Sequence, residues 1–234
     1  MLHMSSKPHT DQVYAQKKVP KTPIKFNIQL NEEQKLAKEQ ILSNTITILK
    51  GKAGSSKTLL ACNVALDLLF KKQIERIFIA RPFIYAENES LGILPGGIQD
   101  KLIGLTTPII ENMYMLTGKE KIDKLIMEGV INILPVAFMR GLTINNAVLI
   151  LDEFQNATLS QTYTALSRLG QGSKIIVTGD MAQCDLRNKK DSGFDFFKKL
   201  ENENVPNLKI ITLLTNHRHE VVEMISNIYD NYKD

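Results

Sequence analysis

Residues 51–58 read GKAGSSKT. The string follows the phosphate-cradling pattern G-x-x-x-x-G-K-[ST], except that the glycine before the lysine is Ser56. It comes after the apolar run TITILK (45–50) and before a helix-spaced apolar run from Leu59 to Lys72. A loop between a strand and a helix is the context this pattern needs. Free N–H groups at the helix start converge on one point, and the helix dipole adds positive charge there. On this reading Gly51, Lys52, Ala53, Gly54, Ser55, Ser56, Lys57 and Thr58 surround the phosphates of a nucleotide. Lys57 reaches the β- and γ-phosphates and the Thr58 hydroxyl ligates Mg²⁺. The substituted position commonly has φ > 0, so Ser56 implies about 1 kcal/mol of backbone strain. Its Cβ would crowd the phosphates, while its N–H stays available and its hydroxyl can add a hydrogen bond.

Outward from this loop, short apolar runs recur: RIFIA (76–80), VINILP (130–135), AVLILD (147–152), KIIVTGD (174–180) and KIITLL (209–214). Helical stretches separate most of them, including Leu159–Leu169. Apolar strands alternating with helices predict an α/β domain, a parallel sheet with helices on both faces. Before the first strand, Asn31 is placed to cap a helix over Glu32–Ser43, with Leu36 and Ile41 facing inward. Residues 91–129 predict a helical insertion of several short helices. Residues 1–25 carry Lys7, Lys17, Lys18, Lys21 and Lys25 between prolines without apolar period. They read as an extended or disordered basic arm, either an inert tail or a nucleic-acid contact. The folded domain then runs over 26–234.

Composition sets bounds. A chain of 234 residues, 43% hydrophobic and 23% charged, is that of one sizeable globular domain. No apolar run approaches the ~20 residues of a membrane helix, and the start MLHMSSKPHT has no apolar segment of a secretory signal. Cys62 and Cys184 are too few for a disulfide or zinc scaffold, so a cytoplasmic location is expected. The net charge of +4 permits a polyanionic partner without requiring one.

Three further strings carry chemistry. AVLILDEF (147–154) ends an apolar strand in Asp152 and Glu153, at the sheet edge where open α/β folds bind ligands. Asp152 suits Mg²⁺ and Glu153 suits polarising an attacking water. VTGDMAQ (177–183) ends another strand in Thr178, Asp180 and Gln183, which is either an ordinary turn or a place from which Gln183 contacts the γ-phosphate. LNEEQKLA (30–37) holds Gln34, whose amide can match the N6 donor and N7 acceptor of adenine or simply be solvated. Arg81, Arg140, Arg168 and Arg218 lie near element ends, where an arginine can act on phosphate. His217 and His219 flank Arg218 without enough neighbouring ligands for a metal site.

These strings together resemble the PhoH family of P-loop ATPases, which is widespread in phages. The resemblance rests on RPFIYAENESLGILPGGIQDKL (81–102), LPVAFMRGLTINNAVLILDEFQNAT (134–158) and LSRLGQGSKIIVTGDMAQCDL (166–186), and covers about residues 30–232. That family is similar to the first motor domain of superfamily 1 helicases. The resemblance implies a RecA-like P-loop NTPase fold and Mg²⁺-dependent ATP hydrolysis. It also implies coupling to RNA or single-stranded DNA, for which the basic arm and the insertion, with Lys101 and Arg140, are candidate contacts. A nucleotide-dependent regulatory or assembly protein with slow turnover is the alternative, and the Asp-Glu pair disfavours a small-molecule kinase. LNEEQKLA is similar to the helicase glutamine motif and so implies Gln34 at adenine. TGDMAQ implies Gln183 at the γ-phosphate, and NHRHE implies Arg218 as an arginine finger. With only one motor domain in the chain, a site completed by a neighbouring subunit implies a homo-oligomeric ring, a hexamer being one form. Between Tyr85 and Ser90 the chain departs from the family pattern by one residue, which leaves Glu87 and Glu89 without an assigned role.

Overall fold

The structure is a computed structural model that describes residues 28–82, 98–217 and 219–232. The arm at 1–25, Phe26, Glu87, Glu89 and Arg218 lie outside these residues.

Six strands form one sheet: β1 (Ile46–Lys50), β2 (Arg76–Ala80), β3 (Ile131–Ile133), β4 (Ala147–Leu151), β5 (Lys174–Gly179) and β6 (Leu208–Thr212). All pairings are parallel, in the order β3-β2-β4-β5-β1-β6. Strands covered on both faces need apolar side chains in both directions, and β4 is buried at all of its positions. The helices divide between the two faces. On one face α1 (Glu32–Ser43), α2 (Lys57–Phe70), α3 (Ile98–Thr117) and α4 (Lys119–Met127) cover Leu49, Ile77, Ile79, Val148, Ile150 and Ile176. On the other, α5 (Leu159–Leu166) and α6 (Phe194–Asn202) cover Ile48, Leu149, Leu151, Ile175 and Val177, with Phe194 and Phe197 meeting edge to face. A last helix, α7, spans Glu220–Tyr232.

Helix α1 begins where the sequence predicts. Asn31 accepts from the Gln34 N–H, and the Gln34 side chain accepts from the Asn31 N–H, a reciprocal capping box. That box corrects one expectation. It turns Gln34, Ala37 and Ile41 inward, so Leu36 points to solvent and is 63% exposed. The insertion is also different from several short helices. In its described part, 98–129, it is one long helix, α3, followed by the short α4. Ile109, Met113 and Leu116 recur on its buried side and hold α3 as one element despite Pro108 within it.

Strand β5 lies between β4 and β1. This order sets the ends of β1, β5 and β4 side by side at one edge of the sheet, where GKAGSSKT, TGDMAQ and LDEFQN emerge.

Candidate active site

The loop at 51–58 is held chiefly by main chain. Ser56 caps α2 at φ 61° and ψ 25°, the left-handed conformation predicted for it, and its side chain makes no capping bond. Lys57 is 8% exposed, and its ammonium donates to the carbonyls of Gly51 at 2.6 Å and Lys52 at 3.0 Å. A strap formed by residues 213–217 borders the loop. The Leu213 N–H donates to Lys50 O at 2.7 Å, and the His217 N–H to Gly54 O at 3.0 Å. A Cβ at Gly51 would come within 2.5 Å of Leu213 O and 2.6 Å of Ser55 Oγ, so only glycine fits there.

The strap is also tied to α1. Leu214 and Thr215 donate their N–H groups to the Glu33 carboxylate at 2.7 and 3.1 Å. The Leu214 N–H is the main reason that this carboxyl is held below its ordinary range. His217 Nε2 lies 3.3 Å from Asn31 Nδ2 and 3.4 Å from Gln34 Nε2. Gln34 therefore sits beside the phosphate loop, 5% exposed, with its carbonyl in the helix cap and its NH₂ facing His217.

Across β5 the carboxylates meet the loop. Thr58 of α2 and Thr178 of β5 both donate a hydroxyl to Asp152 Oδ1, each at 2.7 Å. Asp152 is 2% exposed. Burial pushes its carboxyl above the usual range and the Glu153 charge adds to this. The Thr178 and Thr58 hydroxyls and the charge of Arg81 act in the opposite direction. These hard oxygen donors around one buried carboxylate are the chemistry that Mg²⁺ takes, so the residues present fit that ion.

Glu153 occupies the left-handed region at φ 51°, unusual for a glutamate. Its N–H donates to Thr178 Oγ1 at 3.2 Å, and its Oε2 accepts from Gln155 Nε2 at 2.7 Å. Gln183 closes the short turn after β5, its N–H bonded to Asp180 O and its side chain exposed.

The structure thus gathers Lys57, Thr58, Asp152, Glu153 and Gln183 at one edge, with Gln34 at the flank and Arg81 acting electrostatically on Asp152. Arg168 does not join them. Its guanidinium donates to Thr164 O, Leu142 O and Ser167 Oγ at the far edge of the sheet, where it fastens the end of α5. Arg140 is exposed in the turn after Val136–Met139. Cys62 is fully buried, and burial pushes its thiol well up, so it is an inert core residue. Sequence reasoning assigned no individual role to Gln155, Asn156, Glu33 or Ser192. The signal for the first two was two amides directly after Asp-Glu-Phe.

The PhoH family profile, described as "PhoH-like protein", matches residues 28–230. The chain belongs to the PhoH-like family. A PhoH-like protein from Mycobacterium tuberculosis is 38% identical over 205 residues, 86% of this chain and 57% of that protein. Protein PhoH from Escherichia coli is 36% identical over 176 residues, 74% of this chain and 49% of that protein. The chain therefore spans about half the length of these relatives. The large terminase of a thermophilic bacteriophage shares the fold at 13% identity and a TM-score of 0.50, over 79% of this chain and 46% of that one. Family and fold give the chain a RecA-like P-loop NTPase fold. Among the described residues, no helix is long and apolar enough to cross a membrane.

Proposed function

We propose that this chain binds ATP and Mg²⁺ and hydrolyses ATP by phosphoryl transfer to water. The observation that carries the reading is the convergence of the Thr58 and Thr178 hydroxyls on Asp152, with Glu153 next in the chain and Lys57 in the facing loop. Lys57 leaves its loop carbonyls for the β- and γ-phosphates, and the loop N–H groups take up the remaining phosphate charge. Thr58 and Asp152 would hold Mg²⁺, which would help neutralise the charge on the phosphates. Glu153 orients the attacking water and accepts its proton, while Gln183 meets the γ-phosphate. Gln34 with His217 flanks the base. Positioning and charge stabilisation supply most of the rate.

We further propose that turnover is coupled to RNA or single-stranded DNA in the cytoplasm, the host's if a phage carries the gene. The likeness of LNEEQKLA, TGDMAQ and NHRHE to helicase motifs and the basic arm support this. Arg218, supplied to a neighbouring copy, would complete the site in a homo-oligomeric ring such as a hexamer. A monomeric mass in light scattering with Mg²⁺ and an ATP analogue would remove the ring from this reading.

Phosphate release by the purified chain, with and without Mg²⁺, RNA or single-stranded DNA, tests the proposal. Release is expected to need Mg²⁺, to rise with nucleic acid, and to drop to background in Lys57→Ala. Unchanged turnover in that variant would overturn the assignment. Nucleotide binding with negligible turnover would point instead to a slow regulatory protein.

A further inference from the structure

The Gln155 side chain is 1% exposed and both its amide nitrogen and its amide oxygen are bonded. One amide N–H donates to Glu153 Oε2 at 2.7 Å, and Nε2 also donates to the main-chain carbonyl of Gln183 at 3.3 Å. The amide oxygen accepts from the Asp180 N–H at 3.1 Å. Two donors and an acceptor are thereby satisfied, two of them by the turn that carries Gln183 and one by the carboxylate of Glu153.

The surroundings fix this amide in place. The Gln155 main-chain carbonyl accepts from Ser192 Oγ at 2.6 Å and from Cys184 Sγ at 3.3 Å, so both ends of the loop after Gln183 are attached to the same residue. Next to it, Asn156 Oδ1 accepts from the Asp185 N–H at 2.8 Å. Gly179 leaves the space, since a Cβ there would lie 3.1 Å from Gln155 Oε1 and 2.4 Å from the Phe194 ring. A bond from a neutral amide to a carboxylate is strong and directional, and here its amide end is buried. The amide also spans two separate segments of chain.

We propose that Gln155 is a positioning residue that links the Gln183 turn to Glu153. When Gln183 engages a γ-phosphate, its main chain moves with the turn, and the Gln155 amide carries that displacement to the carboxylate. With the turn unengaged, the same amide holds Glu153 by Oε2 in the geometry described above. Engagement brings the carboxylate into line with the attacking water, which ties hydrolysis to the correct ligand. The inference rests on the hydrolytic reading given above.

The test uses the full chain and three variants: Gln155→Glu, Gln183→Ala and their combination. Gln155→Glu keeps an acceptor for Asp180 and loses both donors. Melting midpoint, affinity for a fluorescent ATP analogue, and kcat and KM for phosphate release are measured for each. Gln155→Glu is expected to bind the analogue within about threefold of the parent, keep its KM, and lose about 10²-fold in kcat. The combined variant is expected to be no slower than Gln155→Glu alone, because both changes break one connection. A melting midpoint that falls while kcat holds would make Gln155 purely structural and overturn the proposal. So would multiplicative losses in the combined variant. Should Gln155→Glu not fold, Gln155→Asn, one methylene short, carries the same expectation. Absence of turnover in the parent chain would remove the hydrolytic reading and this inference with it. Parental turnover with an unaffected Gln155 variant removes the inference alone.

Discussion

The loop at Gly51–Thr58 and the turn at Asp152–Asn156 lie on either side of β5 and are built differently. Apart from the Lys57 ammonium, which donates to two loop carbonyls, the loop is held mainly by main-chain groups: Ser55 N–H to Lys52 O, Leu213 N–H to Lys50 O, His217 N–H to Gly54 O. The turn is held mainly by side chains: two threonine hydroxyls on Asp152, the Gln155 amide on Glu153, the Asn156 amide on Asp185. Main-chain contacts survive most side-chain changes and fail where a Cβ intrudes. Side-chain contacts fail with deletion of a single functional group. The rim proposed for phosphate therefore depends mostly on shape, and the rim proposed for hydrolysis on chemistry.

The largest effect expected from this contrast is at Gly51. Gly51→Ala drives a methyl into Leu213 O and Ser55 Oγ and must displace the strap. Fluorescent-nucleotide titration is expected to show at least about tenfold weaker binding, and denaturant melts a loss of about 1–3 kcal/mol. Parental affinity in this variant would erase the contrast. A smaller effect of opposite sign is expected at Ser56. Ser56→Gly removes a left-handed serine without losing any capping bond, so stability should rise by up to about 1 kcal/mol. Nucleotide binding should hold or tighten; its loss would show that the hydroxyl, and not only the backbone, serves this rim.

The smallest effect is expected at Glu33, where a side chain supports the strap of the phosphate rim. Its carboxyl is held below the ordinary range, so it adds stability above its unfolded pKa, about 4.3, and loses it as pH falls through the lower folded value. Solvent exposure screens the contribution. Melts of the parent and Glu33→Gln chains should differ at pH 7 and draw together as the pH falls below the carboxyl's unfolded pKa. A difference that grows with acid would show that the strap is not held through this charge.

Much of this arrangement is legible in the residues. A strand buried on both faces must be apolar throughout, so TITILK, RIFIA and AVLILD mark themselves, and Asn31 marks the start of α1. Gly, Lys and Thr after the first run, and Asp-Glu after the fourth, have few other uses together. Leu36 is misleading because apolar identity alone does not set the phase of a helix. The reciprocal cap at Asn31 and Gln34 does so, and it draws a polar residue inside. Gln155 is hidden for a related reason. A buried amide acquires meaning only from its partners, and Asp180 and Gln183 are brought to it by a strand pairing that local patterns do not encode. The strap is likewise invisible, since its link to Glu33 joins residues 181 and 182 positions apart.

The strap also gives the molecule an order of assembly. A ribosome finishes Gly51–Thr58 early, and Asp152 and Gln183 much later, yet the wall supplied by Leu213 and His217 emerges after all of them. A nascent chain still short of β6 already carries Lys57, Thr58, Asp152, Glu153 and Gln183, but its phosphate loop is open along the side that the strap will cover. Completion of the loop's wall therefore waits on a late-made part of the domain, and the loop is fully walled only on chains whose sheet is already whole.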